Sequence, residues 1–259
     1  MPLFDKITAI AAAIGSLFSS APAEPASTPD FDTQIHSTTS DGFIASDPVY
    51  DASQNVIHDG EAQQLYPAKF GEIEYMDLDT QGRVAGAYGI ISKQNREVAK
   101  AWKQTGEGNP LDTGKDPAFW PNNNTEVTVT WPDGKTYNGW FWNRSHLIAD
   151  SLGGKSDTNS WITGTRAQNV GKNTQDGGMA YTEEKTRNFL DAQPDGSTCG
   201  VYYSAVPTYL SGQDTIPFSV TVDMKSCDGK LNERVIVTNT MPGYAINYST
   251  GEYAKVKAD

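Results

Sequence analysis

Histidine is scarce in this chain of 259 residues: it occurs only at His36, His58 and His146. His146 differs from the other two in its company. Asn143, Arg144 and Ser145 precede it, Asp150 follows it, and the aromatic run Trp140-Phe141-Trp142 leads into it. A neutral imidazole, with a pKa of about 6.5, can take a proton from water at neutral pH. The planar fork of an arginine two residues away can hold a non-bridging phosphate oxygen. These residues make His146 a candidate general base and Arg144 a candidate phosphate ligand. The plainer alternatives are a structural histidine and a surface ion pair between Arg144 and Asp150.

A second polar segment, Thr163-Gly-Thr-Arg-Ala-Gln-Asn169, follows about twenty residues on. No histidine or cysteine cluster has the spacing of a zinc site. A hard ion such as Mg²⁺ needs only oxygen ligands and keeps much of its water. Asn169 and Glu183 can supply such contacts, and a single neutral amide leaves most of the ion's charge free to act on a phosphate. The alternatives are a turn residue before Gly171 and a helix-surface carboxylate paired with Arg187 at i,i+4.

Several elements must position these groups. Glu126-Val-Thr-Val-Thr-Trp131 alternates as a strand, and Pro132-Asp-Gly134 is a turn in which proline presets φ and glycine accepts φ > 0. The return strand is expected through Tyr137 towards Trp142, which places His146 just past the end of a hairpin. Ser145 to Asp150 reads as a short helical turn stopped by Gly153-Gly154, and a helix is expected over Glu183–Ala192, starting near Gly178. Upstream, Ile73–Asp77 and Arg83–Ile91 read as strands. Lys93–Gln104 reads as a helix with Val98, Ala101 and Trp102 on one face, and residues 106–124 read as loop. Downstream the strands are Gly200–Val206, Ile216–Met224, Glu233–Asn239 and Tyr244–Tyr248. The class is α+β, with a central antiparallel β-sheet and few helices.

The net charge of -12 argues at first against a partner with a phosphate backbone. Its distribution weakens that objection. Between Asp133 and Leu190 seven Lys/Arg face six Asp/Glu, so the acidity lies elsewhere. The apolar run Ile7–Phe18 is too short to span a membrane and suits a secretory signal, with Ala21-Pro-Ala23 offering small residues for cleavage. The alternative is a short amphipathic helix. Residues 1–23 are therefore read as a signal peptide, 24–46 as a Pro/Ser/Thr-rich linker, and 47–259 as the functional domain. Cys199 and Cys227 fall at the same open end of an expected hairpin whose tip lies near Ser211–Asp214. A disulfide there is reasonable, is worth about 3 kcal/mol, and would agree with export; the alternative is two free thiols.

Three blocks in order, Asn143–Gly154, Thr163–Val170 and Gly178–Glu183, resemble the DNA/RNA non-specific endonucleases of the ββα-metal (His-Me finger) superfamily. The branch of secreted streptococcal DNases and DNA-entry nucleases is the most similar, and Tyr75–Arg83 also looks like that branch's first core strand. The resemblance covers roughly residues 73–190. It implies a ββα finger made of the hairpin ending at His146 and a helix carrying acidic support. It further implies a secreted endonuclease that leaves 5′-phosphates on DNA, with RNA as a second substrate, and uses Mg²⁺ with Mn²⁺ able to substitute. His146 would be the general base, Asn169 the one direct protein ligand of the metal, Glu183 the holder of metal-bound water, and Arg144 a phosphate contact. Arg166 and Arg187 are the further candidates for substrate binding. Asn143 and Ser145 replace the Asp and Gly of the family's common block. The long spacing from Asn169 to Glu183 leaves Glu184 and Asn173 as rivals. Two other classes compete: a secreted module that binds nucleic acid or carbohydrate through Trp131, Trp140, Trp142 and Trp161 without catalysis, and a nuclease toxin domain with an immunity partner.

Overall fold

The computed structural model describes residues 35–38, 44–46, 55–106, 108–172 and 176–256. The expected signal segment lies outside these residues. Within the stretch read as linker, two short strands form, β1 (Ile35–Thr38) and β2 (Ile44–Ser46). They are followed by β3 (Val56–His58), β4 (Ile73–Tyr75), β5 (Ala87–Ile91) and helix α1 (Lys93–Thr105). The middle of the chain holds β6 (Glu126–Thr130), β7 (Thr136–Trp140), β8 (Trp142–His146), β9 (Trp161–Thr165), α2 (Arg166–Val170) and α3 (Gly178–Asp191). The last strands are β10 (Val201–Thr208), β11 (Ser219–Ser226), β12 (Asn232–Thr238), β13 (Tyr244–Ile246) and β14 (Tyr253–Lys255).

The centre is a six-stranded sheet in the order β3-β12-β11-β10-β5-β4, antiparallel throughout. Side chains alternate between the faces of a strand. One face therefore gathers Val201, Tyr203, Val220, Val222, Met224, Val235 and Val237, all buried. Met179 and Leu190 of α3 join this core, together with Leu147, Ile148 and Leu152 from the segment after β8. The segment that follows His146 is thus anchored by the consecutive buried residues Leu147, Ile148 and Ala149, and by Leu152. The opposite face holds a buried ion pair: Arg234 donates to both oxygens of Asp223 at 3.0 and 3.1 Å.

Several local expectations hold and two change. Helix α1 begins with a capping box between Ser92 and Asn95 and ends at Gly106, φ 72°. Its buried face is not the expected one: Ala99 is buried, whereas Val98 is exposed. The helix lies at the periphery and meets the fold mainly through polar groups. Strand β5 is shorter than the expected Arg83–Ile91, because Asp79 accepts from the Arg83 backbone and side chain at 2.8 and 2.7 Å and keeps that end in a turn. The β6–β7 hairpin closes as read, with Gly134 at φ 80°. Cys199 and Cys227 are bridged just beyond the open end of β10 and β11, with Cα atoms 5.4 Å apart, well inside the range a disulfide requires.

Candidate active site

His146 does not extend the β6–β7 hairpin. It is the last residue of β8, which pairs antiparallel with β9, so that Trp142 faces Thr165 and His146 faces Trp161. The reason lies in the aromatic run. Consecutive residues of a straight strand point to opposite faces, yet Phe141 and Trp142 are both buried. The chain bends at Phe141, between β7 and β8, and both rings enter the interior. Phe141 stacks on Tyr253 with ring centroids 3.7 Å apart. Trp142 donates its indole N–H to the Gly251 carbonyl at 3.1 Å, and Asn124 brackets its backbone at 2.9 and 3.0 Å. Trp140, before the bend, stays 53% exposed.

Arg144 and His146 sit two residues apart on one face of the β8–β9 ribbon, and Trp161 lies across from them. The His146 ring is 5.1 Å from the Trp161 ring. The Arg144 guanidinium lies 5.5 Å from Trp120 and 5.7 Å from Trp161. Its ion-pair partner is Asp116, reached by Nε at 2.7 Å, rather than Asp150. His146 Nε2 is hydrogen-bonded to Ser156 Oγ at 2.8 Å. Burial pushes the His146 pKa below the usual histidine value, and the negative charges of Asp150 and Asp112 oppose that shift. Ser156 and Asp116 were not legible as partners, since nothing in their spacing sets them apart.

The helix that completes the ribbon is α2, which starts directly at the end of β9. Thr165 caps it, its Oγ accepting from the Gln168 backbone N–H at 3.0 Å. Asn239 fixes both partners from the sheet. Its Oδ1 accepts from Thr165 N–H at 2.8 Å, and its Nδ2 donates to the carbonyls of Thr163 and Pro217 at 3.0 and 2.8 Å. The ββα unit is therefore β8, β9 and α2. The expected unit, built on β6–β7 and the acidic helix, is corrected.

Asn169 projects from α2 into a groove of about 670 Å³ that Arg144, Arg166, Asn143, Tyr137, Trp120 and Trp140 also line. Arg166 lies 5.2 Å from the Tyr137 ring and reaches Asn143 at 3.4 Å. Asn173, the rival to Asn169, lies outside the described residues. Helix α3 packs on α2 through a glycine contact: Gly178 adopts φ 58°, and a Cβ there would stand 2.3 Å from the Gln168 carbonyl oxygen. This contact holds the start of α3 against the helix that carries Asn169.

Glu183 and Glu184 are distinguished by burial. Glu183 keeps 17% side-chain exposure against 35% for Glu184, and burial, reinforced by Asp150, pushes its pKa up to about 7 against the opposing pull of Arg187. Glu184 is held below the usual carboxylate value by its bond to Arg187 at 2.6 Å. Arg187 also donates to Ser151 Oγ at 3.2 Å, and it opens into a second concavity lined by Arg96, Lys100 and Lys103. The candidate residues are thus grouped rather than gathered in one pocket. Arg144, Arg166 and Asn169 share the groove, His146 stands on the same ribbon face as Arg144, and Glu183 with Arg187 lies on α3. Asp150 acts electrostatically on both His146 and Glu183.

Among the described residues no group of three or more His, Cys, Asp or Glu could hold an ion. A metal at this site would therefore depend on few protein ligands. Two observations fit one: the Asn169 side-chain amide has no protein partner among the described residues, and burial holds the Glu183 carboxyl above the usual carboxylate range despite its ion pair with Arg187.

Known proteins resemble this chain in sequence and in fold. A deoxyribonuclease of Streptococcus dysgalactiae subsp. equisimilis is 34% identical over 224 residues, which is 78% of this chain and 66% of that relative. The chain thus spans just under two thirds of the relative's length. A structure of Sda1 nuclease with a bound zinc ion superposes with a TM-score of 0.69 at 28% identity, covering 81% of this chain and 99% of that one. NucA from Streptococcus agalactiae, solved with a magnesium ion, shares the fold at a TM-score of 0.56 and 21% identity, over 80% of this chain and 94% of its own. The profile of the DNA/RNA non-specific endonucleases matches residues 74–255, a span that includes the ribbon, both following helices and Asn239, and the chain belongs to that family.

Proposed function

We propose that this chain is an exported endonuclease that hydrolyses phosphodiester bonds of DNA with little sequence specificity, RNA being the second substrate to test. The observation that carries this reading is the ββα unit itself. It sets His146 and Arg144 on one face of β8, and Asn169, whose side-chain amide has no protein partner among the described residues, on the helix that follows β9. The export reading rests on the N-terminal apolar run and on the bridge between Cys199 and Cys227.

In the mechanism proposed, Arg144 and Arg166 bind non-bridging oxygens of the scissile phosphate. Asp116 and the flanking indoles limit the freedom of Arg144. His146 donates its Nε2 proton to Ser156 Oγ, which leaves Nδ1 with a free lone pair. Burial keeps the ring neutral near pH 7, as a base must be. His146 takes the proton of the attacking water as the oxygen–phosphorus bond forms. Asp150 and Asp112 then stabilise the imidazolium. The bond to the 3′ oxygen breaks, that oxygen recovers a proton from solvent, and the products carry a 5′-phosphate and a 3′-hydroxyl. Asn169 would hold a divalent ion, Mg²⁺ with Mn²⁺ as substitute, and Glu183 would orient its water. When bound, such an ion supplies positive charge where the phosphate oxygens accumulate negative charge.

The test is digestion of plasmid and of total RNA with Mg²⁺, with and without excess EDTA, beside the His146→Ala variant. A positioned base contributes about 10²–10⁴-fold, so the folded variant should lose activity on that scale. Wild-type rates from His146→Ala, or full activity in EDTA, would overturn the assignment.

A further inference from the structure

The groove beside Asn169 carries more aromatic surface than a phosphate path requires. Three aromatic residues other than the buried Trp142 line it: Trp120, Tyr137 and Trp140. The bend at Phe141 draws the next two rings into the interior but leaves Trp140 at the rim, 53% exposed. The rings alternate with cations, since Arg144 lies 5.5 Å from Trp120 and Arg166 lies 5.2 Å from Tyr137. The loop that delivers Trp120 passes through Phe119 at φ 60°. That is an outlier for a bulky residue, of a kind that clusters at ligand clamps.

Phosphates are satisfied by cations and N–H groups. Flat rings set between cations match a chain that presents phosphates and π-faces in turn. In a duplex the faces of the bases are covered by their neighbours, so an indole can meet one only where a nucleotide is unpaired. We propose that Trp140 and Trp120 form a base-stacking subsite flanking the phosphate held by Arg144 and Arg166, so that the groove takes an unpaired strand in preference to a duplex. This rests on the reading of the same groove as the cleavage site.

The test uses the full chain in the His146→Ala background with Mg²⁺ present. Binding of a fluorescein-labelled oligothymidylate and of a blunt duplex of equal length is measured, with and without Trp140→Ala. Base–aromatic stacking predicts that the ratio of single-strand to duplex affinity falls at least about five-fold in Trp140→Ala and is restored in Trp140→Phe, which keeps a ring. An unchanged ratio, or a loss in Trp140→Phe equal to that in Trp140→Ala, overturns the subsite. The outcome is separable from the catalytic reading: cleavage by the wild type that is abolished in His146→Ala upholds the nuclease whatever Trp140 does.

Discussion

Replacing Glu183 by glutamine should stabilise the protein at alkaline pH while impairing it as an enzyme. The Glu183 carboxyl is held up to about 7, against about 4.5 for an ordinary glutamate, chiefly by burial and then by Asp150. Because the folded value lies above the unfolded one, the folded chain keeps a proton between pH 4.5 and 7 that the unfolded chain has released. The penalty is absent below about pH 4.5, grows as pH rises through this window, and is complete above about 7. At 1.36 kcal/mol per pKa unit the ceiling is about 3 kcal/mol. The side chain keeps 17% exposure, and glutamine weakens the contact with Arg187, so a gain of about 2 kcal/mol is expected. For a domain of this size that is about 5 °C in Tm. The assay is thermal unfolding of both proteins in EDTA at pH 4.5 and pH 8. Glu183→Gln should match the wild type at pH 4.5 and exceed it at pH 8, and added Mg²⁺ should raise the wild-type Tm more than the variant's. A difference that does not change with pH, or a variant less stable at pH 8, would refute the reasoning.

Further outcomes follow from other parts of the site. Since burial holds His146 below the ordinary histidine value, the acid limb of kcat/KM should lie below about pH 6.5, activity falling as pH drops through it; a limb at pH 7 or above would contradict the geometry. Asn239→Ala removes three buried hydrogen bonds and should cost about 3 kcal/mol in chemical denaturation, with activity reduced beyond what the unfolded fraction explains. The bridge between Cys199 and Cys227 closes a loop of 28 residues, so its reduction should lower stability by about 3.5 kcal/mol on loop entropy, visible as a lower Tm in dithiothreitol.

The sheet was largely legible because its strands obey simple patterns. The runs at Gly200–Val206, Ile216–Met224 and Glu233–Asn239 are β-branched and bounded by turn residues, and each forms a strand shifted by no more than a few positions. The residue types of the candidate site were legible too, because His146, Arg144, Asn169 and Glu183 stand in three ordered blocks. What the sequence hid was the frame. Trp161–Thr165 is buried at every position, so it shows no alternation and reads only as a polar segment with an aromatic start. The bend at Phe141 depends on Tyr253 and Gly251, more than a hundred positions away. Ser156, Asp116 and Asn239 meet their partners across 10, 28 and 74 positions, and no local pattern marks them. The difference in burial between Glu183 and Glu184 likewise depends on the packing of α3, since helix periodicity alone leaves both on adjacent faces.

The dependence of the ribbon on Asn239, Thr240, Gly251 and Tyr253 has a consequence for biosynthesis. His146, Asn169 and Glu183 have all been made by the time the ribosome reaches β10, yet the contacts that Asn239, Thr240, Gly251 and Tyr253 make with β9 and with the bend before β8 do not then exist. The candidate site residues are synthesised first, and the residues that hold their frame come last. A chain that stops before Asn239 therefore carries the candidate site residues without the contacts that hold their frame, and such a truncation is expected to fail to digest plasmid where the full chain succeeds.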